Sequence, residues 1–260
     1  MCKRLVVFLL AVIVLPYTAN ADKFTNVYER LLSRHVYEGE QNGIKTSLVN
    51  YAGWAQDHRH KRAMALLQRT NTAALKAGAA EMAFWINAYN LLTIDLIIKQ
   101  QERESIKNLG GLFTSPWRHH EWAIDGIPYT LDHIEHEILR PMGDPRIHMA
   151  INCASLSCPD LQDSPYMAEI LDDQLNRQTR DFLNNKTKGV RLTAAGFEVS
   201  NIFNWFEEDF GGGEQGVIQF ISKHIKIPEE TPERINDYIK YNWKLNGTWA
   251  NERSPRRGFN

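Results

Sequence analysis

Residues 146–159 read RIHMAINCASLSCP, and the stretch changes character half way along. Over 146–152, apolar and polar side chains alternate with the period of two that is typical of a half-buried strand. The remainder is small and polar and ends at Pro159, so we expect the chain to turn there. Loops at the ends of strands often carry functional side chains, and this one carries Cys153 and Cys158. The sequence therefore predicts a strand followed by a cysteine-bearing loop over 153–159, which we call the cysteine loop.

The N-terminus has the composition of an export signal. Two basic residues precede an apolar run over 5–16, and Ala19-Asn20-Ala21 is a small-x-small cleavage site. We expect residues 1–21 to be a cleaved signal peptide and the mature protein to be periplasmic or secreted. The apolar run is too short for a permanent bilayer span, and no later stretch is long enough, so we expect no stable membrane span.

The rest of the chain has the composition of a folded globular protein. Hydrophobic residues make up 43% of it, and the formal net charge is −1. This near neutrality argues against nucleic acid as a partner. Residues 22–250 are long enough to bury a large core, so we expect a single globular domain there, followed by a disordered polar tail over 251–260.

The hydrophobic pattern predicts helices mixed with short strands. The clearest helix covers 81–100, because its centre is apolar nearly all round, as in a buried helix. An Asp125-Gly126 turn between apolar segments predicts a hairpin, and a final strand is expected over 238–245. Further helices are expected at 24–36, 60–70, 131–139, 166–184 and 217–225. This mixture is typical of the α+β class, with helices packed on a small, mainly antiparallel sheet.

The cysteine loop provides a candidate thiol nucleophile. A catalytic cysteine needs a lowered pKa and a base within reach. On a regular strand His148 points away from Cys153, so we expect His136, on the preceding predicted helix, to be the base, with Glu135 orienting it. Two cysteines this close in an oxidising compartment also allow a structural disulfide between Cys153 and Cys158. The sequence leaves both interpretations open.

Five polar residues are candidates for binding a small-molecule or peptide-like ligand. They are Asn87, Asn90, Arg140, Arg146 and His148. The two asparagines lie on one side of the apolar helix, where buried amides need hydrogen-bond partners. They either tie neighbouring loop backbone or line a site.

Other chemistries find little support in the sequence. His133 and His136 lie three apart on one predicted helix, but the order HIEHE differs from the HExxH zinc signature. A solvated helix face is the favoured interpretation, and we expect no metal. The chain has no GxGxxG, Walker or GxSxG motif, so we expect no cofactor.

Five segments, taken together, resemble the domain-of-unknown-function 547 family. They keep the family's order and are AFWINAYN (83–90), DGIPYTLDHIEHEILR (125–140), DPRIHMAINCASLSCPDL (144–161), VSNIFNWFEEDF (199–210) and YIKYNWKLN (238–246). Bacterial members of that family resemble exported single-domain proteins such as this one, and plant members carry the domain behind coiled-coil segments.

The resemblance implies which residues occupy family positions. They are Asn87, Asn90, Glu135, His136, Arg140, Arg146, Cys153 and Pro159. His133 departs from an acidic family position, which weakens the metal interpretation further, and serine replaces the loop cysteine in the plant branch. A helix packed on a small sheet with cysteine, histidine and carboxylate is similar in outline to papain-like and transglutaminase-like folds, by analogy at fold level only.

Two functions remain open at this point. The first is a thiol-dependent hydrolase or transferase for a small peptide-like substrate, with Cys153 as nucleophile, His136 as general base and Glu135 as its orienter. The alternative is a non-catalytic periplasmic binding or scaffold domain, in which Cys153 and Cys158 form a structural disulfide and Arg146 clamps a ligand.

Overall fold

The structure, a computed structural model, describes residues 19–112 and 114–250. Most of the predicted signal peptide (1–18) and all of the predicted tail (251–260) therefore lie outside the described residues. Among the described helices, none combines the length and the apolar character that crossing a bilayer requires.

The chain alternates helices with short strands, which confirms the α+β class. The helices are α1 (Ala19–His35), α2 (Tyr51–Gln56), α3 (His58–Gln68), α4 (Ala79–Gln100), α5 (Pro116–His119), α6 (Leu131–His133, continued as a π-helix over Ile134–Leu139), α7 (Ile147–Ala150), α8 (Leu171–Asn184), α9 (Ile202–Trp205) and α10 (Gly213–His224). The strands are β1 (Val36–Gln41), β2 (Ile44–Asn50), β3 (Trp122–Ile124), β4 (Ile127–Tyr129), β5 (Val190–Thr193), β6 (Gly196–Ser200), β7 (Ile235–Ile239) and β8 (Gly247–Thr248).

The strands of the described residues form three small sheets rather than the one sheet that was predicted. Their orders are β1-β2-β8, β3-β4 and β5-β6-β7. The pairs β1-β2, β3-β4 and β5-β6 are antiparallel, whereas β8 joins β2, and β7 joins β6, in parallel. The predicted hairpin is confirmed as β3-β4, whose turn residues Asp125 and Gly126 have φ values of 53° and 77°.

Helix α4 is the core of the first half of the chain, as its apolar sequence predicted. Every residue from Met82 to Ile97 is buried. The one carboxylate in this run, Asp95, is paired with His60 at 3.0 Å, with Lys99 at 2.7 Å and with the Trp122 indole at 2.6 Å. A buried charge needs such partners; His60 and Trp122 also tie α3 and β3 to α4, on which Lys99 itself lies.

The predicted strand over 146–152 is wrong, because Ile147–Ala150 forms the short helix α7. The helix begins at Ile147 after a turn made by Asp144. Asp144 Oδ1 accepts the N–H of Arg146 at 3.0 Å, and Asp144 O accepts the N–H of Ile147 at 3.2 Å. The alternation of polar and apolar letters misled because His148 is as buried as its apolar neighbours.

Helix α7 lies where two apolar clusters meet. Ile147 and Ala150 belong to the cluster around α1, α4 and α6. Met149 belongs to the cluster formed by β5, β6 and α10 with their neighbours. The residues that directly follow α7 are the cysteine loop, so that loop is carried between the two clusters.

The predicted strand over 238–245 is also wrong for most of its length, since β7 ends at Ile239. The chain beyond β7 runs along the cysteine loop instead. Lys244 O accepts the N–H of Leu156 at 2.8 Å, and Ala154 O accepts the N–H of Asn246 at 3.1 Å. The backbone groups that a strand would have used are therefore committed to holding that loop.

Candidate active site

A cavity of about 250 Å³ brings five of the predicted site residues together. They are Glu135, His136, His148, Cys153 and Cys158. We call it the thiol pocket. Most of its remaining wall is aromatic, formed by Tyr89, Trp117, Trp205, Phe206, Tyr241 and Trp243. The predicted nucleophile, base and orienter thus share one small, largely apolar cavity.

The cysteine loop is shaped by an asparagine turn. Asn152 Oδ1 accepts the N–H of Ala154 at 2.9 Å, and its Nδ2 donates to Pro159 O at 2.7 Å. Ala154 has a φ of 59°, a left-handed conformation that a residue with a Cβ rarely adopts. The turn fixes the backbone on both sides of Cys153, so its sulfur has a defined position in the pocket wall.

Cys153 is surrounded by groups that stabilise a thiolate. Its sulfur lies 3.2 Å from Ser155 Oγ and 3.4 Å from Tyr241 Oη, and its own N–H donates to Cys158 Sγ at 2.9 Å. Hydrogen bonding with Cys158 first, and with Ser155 and Tyr241 next, outweighs burial and lowers the pKa of Cys153 to about 7. A substantial fraction of this half-buried thiol is therefore ionised at neutral pH.

Cys158 has the opposite character. It is buried, and burial together with the neighbouring Cys153 raises its pKa well above the usual value. Both sulfurs are free thiols in this structure. A disulfide between them under oxidising conditions stays a prediction.

Glu135 is a buried carboxyl beside the thiol. Its Oε2 lies 3.2 Å from Tyr89 Oη, and that hydroxyl oxygen accepts the indole N–H of Trp117 at 3.2 Å. Burial raises the pKa of Glu135 to about 8, and the charge of Cys153 contributes to the same effect. Glu135 is thus protonated at neutral pH, and it bonds with Tyr89 rather than with His136, which it was expected to orient.

His136 has the hydrogen on Nε2. Arg140 Nη1 lies 2.8 Å from its Nδ1, and because a guanidinium can only donate, Nδ1 must accept. Nε2 lies 3.7 Å from Asp132 Oδ1. Burial lowers the pKa of His136. The lone pair that a general base would use is therefore occupied by Arg140.

His148 has the opposite arrangement and the free lone pair. Its Nε2 lies 2.7 Å from Asp209 Oδ2, and its ring stacks on Phe206 with centroids 4.1 Å apart. The bond to His148 is the largest cause that holds the pKa of Asp209 far below its usual range, so Nε2 donates to a carboxylate. Nδ1 forms no hydrogen bond with any described residue. Burial lowers the pKa of His148, which leaves a neutral imidazole with an unshared lone pair.

Arg140 holds both histidines in position, His136 directly and His148 through Asp209. Its Nε and Nη2 donate to the two oxygens of Asp209 at 2.6 and 2.8 Å, while Nη1 donates to His136. This fork geometry matches a carboxylate. Arg140 was predicted as a binding residue, and the structure uses its donors to fix the pocket's own side chains.

The other three predicted binding residues lie outside the lining of the thiol pocket. Asn87 bonds through both ends of its amide to the backbone of Tyr166, at 2.8 and 2.9 Å. Asn90 bonds in the same way to Ala150 O and the N–H of Asn152, at 3.0 and 2.7 Å. Both tie loop backbone to α4, the first of the two alternatives that the sequence left open.

Arg146 is committed to acidic and amide side chains of its own surface. It pairs with Asp144 at 2.7 Å and with Asp172 at 2.8 Å, and it donates to Asn176 at 2.8 Å. No cluster of His, Cys, Asp or Glu suited to a metal ion occurs within 19–112 and 114–250.

Sequence reasoning missed Asp209, Tyr89 and Tyr241. Asp209 and Tyr241 are far from the cysteine loop in sequence and reach it only through tertiary packing. The motif resemblance did point to their neighbourhood, because Asp209 lies in segment 199–210 and Tyr241 in segment 238–246. Within those segments, however, the hydrophobic pattern does not distinguish either residue from its neighbours.

Comparison with known proteins identifies one family. No curated protein and no solved structure matches the chain significantly. Residues 73–183 match the family model described as Protein of unknown function, DUF547. The match contains Glu135, His136, His148 and Cys153, whereas Asp209 and Tyr241 lie beyond it. Residues 73–183 are therefore similar to the DUF547 family, and this match contains three of the five segments on which the resemblance was based, 83–90, 125–140 and 144–161.

Proposed function

We propose that the chain is a thiol-dependent hydrolase or transferase that acts on a small peptide-like substrate. One observation carries the proposal. The Cys153 sulfur, with a pKa of about 7, shares a small cavity with the Glu135 carboxyl, whose pKa is about 8. Between those values the site combines a thiolate with a protonated acid, which are the two groups that acyl transfer to sulfur requires.

In the first step the Cys153 thiolate attacks the substrate carbonyl carbon. A bond forms between sulfur and carbon, and the bond from that carbon to the leaving nitrogen or oxygen then breaks. Glu135 gives its proton to the leaving group, which departs neutral. The product is a thioester on Cys153 and an ionised Glu135.

In the second step water, or an acceptor amine or alcohol, attacks the thioester. His148 accepts the proton of that nucleophile on Nδ1, and the carbon–sulfur bond breaks to restore the thiolate. Asp209 holds the imidazole through Nε2 and stabilises the imidazolium, as a triad carboxylate does. The proton then returns to Glu135 through solvent.

These roles differ from those expected from the sequence. His148, rather than His136, is proposed as the base, because Arg140 occupies the ring lone pair of His136, whereas no described residue bonds with Nδ1 of His148. His136 becomes a positioning residue that Arg140 holds, with its Nε2–H available as a donor. Glu135 becomes an acid instead of an orienter.

The aromatic wall supports an apolar group next to the scissile carbonyl. Trp117, Trp205 and Phe206 offer ring faces, and a cavity of about 250 Å³ accommodates a group about the size of one large side chain. The predicted export places the protein in an oxidising compartment, where Cys153 and Cys158 could form a disulfide. Because a disulfide has no thiolate, we propose that the protein acts only with both cysteines reduced.

The test uses p-nitrophenyl acetate as a probe with an activated acyl group. The reduced full chain is mixed with the ester, quenched in acid and analysed by intact mass and peptide mapping. We expect one acetyl group, on Cys153, and none on Cys158. Cys153→Ser should remove it, and Cys158→Ser serves as the matched control. Acetylation confined to lysines, or unchanged in Cys153→Ser, would reject the proposal and favour the binding-domain alternative.

A further inference from the structure

A second, larger concavity adjoins the thiol pocket. Its volume is about 1160 Å³, and it shares Tyr241 and Trp243 with the pocket. We call it the basic groove, because its charged lining residues are Arg103, Lys186, Arg191, Lys240, Lys244 and a single acid, Glu104. The two cavities therefore have a common wall, formed by Tyr241 and Trp243.

The groove's charge is a local property and does not follow from composition. The chain has 30 basic and 31 acidic residues, yet the described residues that line the groove include five cations and one carboxylate. Concave surfaces of one sign concentrate the electric field and attract ligands of the opposite charge. Without an anionic occupant, the clustered cations repel one another.

Most of these cations have no acidic partner. Arg191 pairs with Glu198 at 3.1 Å, but Lys186, Lys240 and Lys244 form no ion pair with any described residue, and all three are exposed. The guanidinium of Arg103 lies 5.2 Å from the ring centroid of Trp249. These groups can therefore accept an anionic ligand without first breaking an ion pair.

The remaining lining is suited to a peptide backbone. Gln41, Asn108 and Asn242 line the groove. Each has one end of its amide bonded within the protein, to Leu245 O, Glu102 Oε1 and the N–H of Lys244 respectively. The other end of an amide side chain can then donate to a peptide carbonyl or accept from a peptide N–H. Among the described lining residues, the aromatic rings are Tyr241 and Trp243, where the groove meets the thiol pocket. A single-stranded nucleic acid, in contrast, is bound by aromatic platforms repeated along a groove.

We propose that the basic groove binds the acidic part of an extended peptide substrate, whose reacting acyl group enters the thiol pocket past Tyr241 and Trp243. The inference rests on the proposed function, which places the scissile carbonyl of the substrate at Cys153. It adds the substrate class, a peptide with several carboxylates on one side of that carbonyl. The groove supplies affinity, and the pocket supplies chemistry.

The test measures binding without turnover, in the full chain with Cys153→Ser. Capped hexaglutamate and capped hexaglutamine are titrated by calorimetry at about 50 mM and about 300 mM salt. We expect hexaglutamate to bind, at least tenfold more weakly at the higher salt, and hexaglutamine to show no binding at the same concentrations. Equal binding of the two peptides, or no binding of either, would overturn the proposal.

Variants localise the site. Lys240→Gln with Lys244→Gln should weaken hexaglutamate binding about tenfold, whereas Lys61→Gln, an exposed lysine on α3 away from the groove, should leave it unchanged. An equal loss of binding in the double variant and in Lys61→Gln would overturn the assignment. Hexathymidylate is titrated in the same way as a single-stranded nucleic acid, and tighter binding of it than of hexaglutamate would also overturn the assignment. Because Cys153 acetylation is measured with a small neutral ester, failure here is distinguishable from failure of the proposed function.

Discussion

The thiol pocket and the basic groove share two aromatic residues but differ in how far their ionisable groups are exposed to solvent. The pocket is small and aromatic, and burial there raises the pKa of Glu135 to about 8. The groove is several times larger, and its lysines are exposed. Proton transfer profits from groups displaced from their ordinary pKa, whereas attraction of an anion needs only accessible charge. The contrast suggests that one molecule separates chemistry from recognition across Tyr241 and Trp243.

Removing the pocket's nucleophile should have the largest effect. We expect Cys153→Ser to lower acyl transfer from a thioester or p-nitrophenyl ester by about 10³-fold or more, since a serine hydroxyl at this position lacks an ionised form at neutral pH. Binding of hexaglutamate in the groove should be unchanged. Steady-state rates and calorimetry measure the two, and parallel losses in both would contradict their separation.

The two pocket histidines should differ in which step they affect. We expect His148→Ala to slow hydrolysis of the acetyl-enzyme about 10²-fold or more, the usual contribution of a general base, with little effect on acetylation. The acetyl-enzyme then accumulates. His136→Ala is the matched control and should slow hydrolysis by less than about tenfold, because its lone pair is already engaged by Arg140. Stopped-flow bursts and mass spectrometry follow both steps, and equal effects would refute the assignment of His148.

The buried acid should lower stability as the price of its chemistry. Glu135 binds its proton more tightly when folded, with a pKa of about 8 against an ordinary 4.5. The ionisation of Glu135 therefore does not affect the free energy of unfolding below about pH 4.5. It lowers that free energy progressively as pH rises towards 8, and the loss stays constant above that. Glu135→Gln should stabilise the protein at pH 7 by about 3 kcal/mol at most and leave it unchanged at pH 4.

Urea denaturation at the two pH values measures this difference. Glu137→Gln, an exposed residue on the same helix, is the control and should change stability by less than about 0.5 kcal/mol at either pH. A Glu135→Gln protein that is less stable at pH 7 would mean that the carboxyl is ionised and paired in the folded state.

The smallest expected effect links the two regions. Iodoacetate and iodoacetamide alkylate thiols in the same way but differ in charge, so the neighbouring cations should favour iodoacetate. We expect Lys240→Gln with Lys244→Gln to slow alkylation of Cys153 by iodoacetate a few-fold and to leave iodoacetamide unaffected. Added salt should mimic the substitution. Equal slowing of both reagents would mean that the lysines act on the structure of the pocket.

Local sequence signals predicted much of the scaffold and part of the site. The apolar run gave α4, the Asp125-Gly126 pair gave the β3-β4 hairpin, and the cysteine loop was found from its composition. The pattern over 146–152 failed because a buried histidine on a short helix has the same letters as a half-buried strand. Because of that error His148 was predicted as a binding residue and His136 as the base, since a strand would have turned His148 away from Cys153.

The remaining parts of the site depend on long-range packing. Asp209 reaches His148, and Tyr241 reaches Cys153, across 61 and 88 residues of sequence. No propensity or period relates residues at such distances. The raised pKa of Glu135 likewise follows from its burial in the folded protein, against the opposing effect of the hydrogen bond with Tyr89, and the helix sequence alone does not give it.

The reactivity of the two cysteines as a function of pH tests whether Cys153 is an activated nucleophile. The reduced full chain is alkylated with iodoacetamide across a pH series, and each cysteine peptide is quantified separately. We predict that Cys153 reacts with a half-maximal rate near pH 7 and that Cys158 stays unreactive until the protein unfolds. A Cys153 midpoint at or above the ~8.5 of an ordinary thiol, or a faster Cys158, would contradict the account.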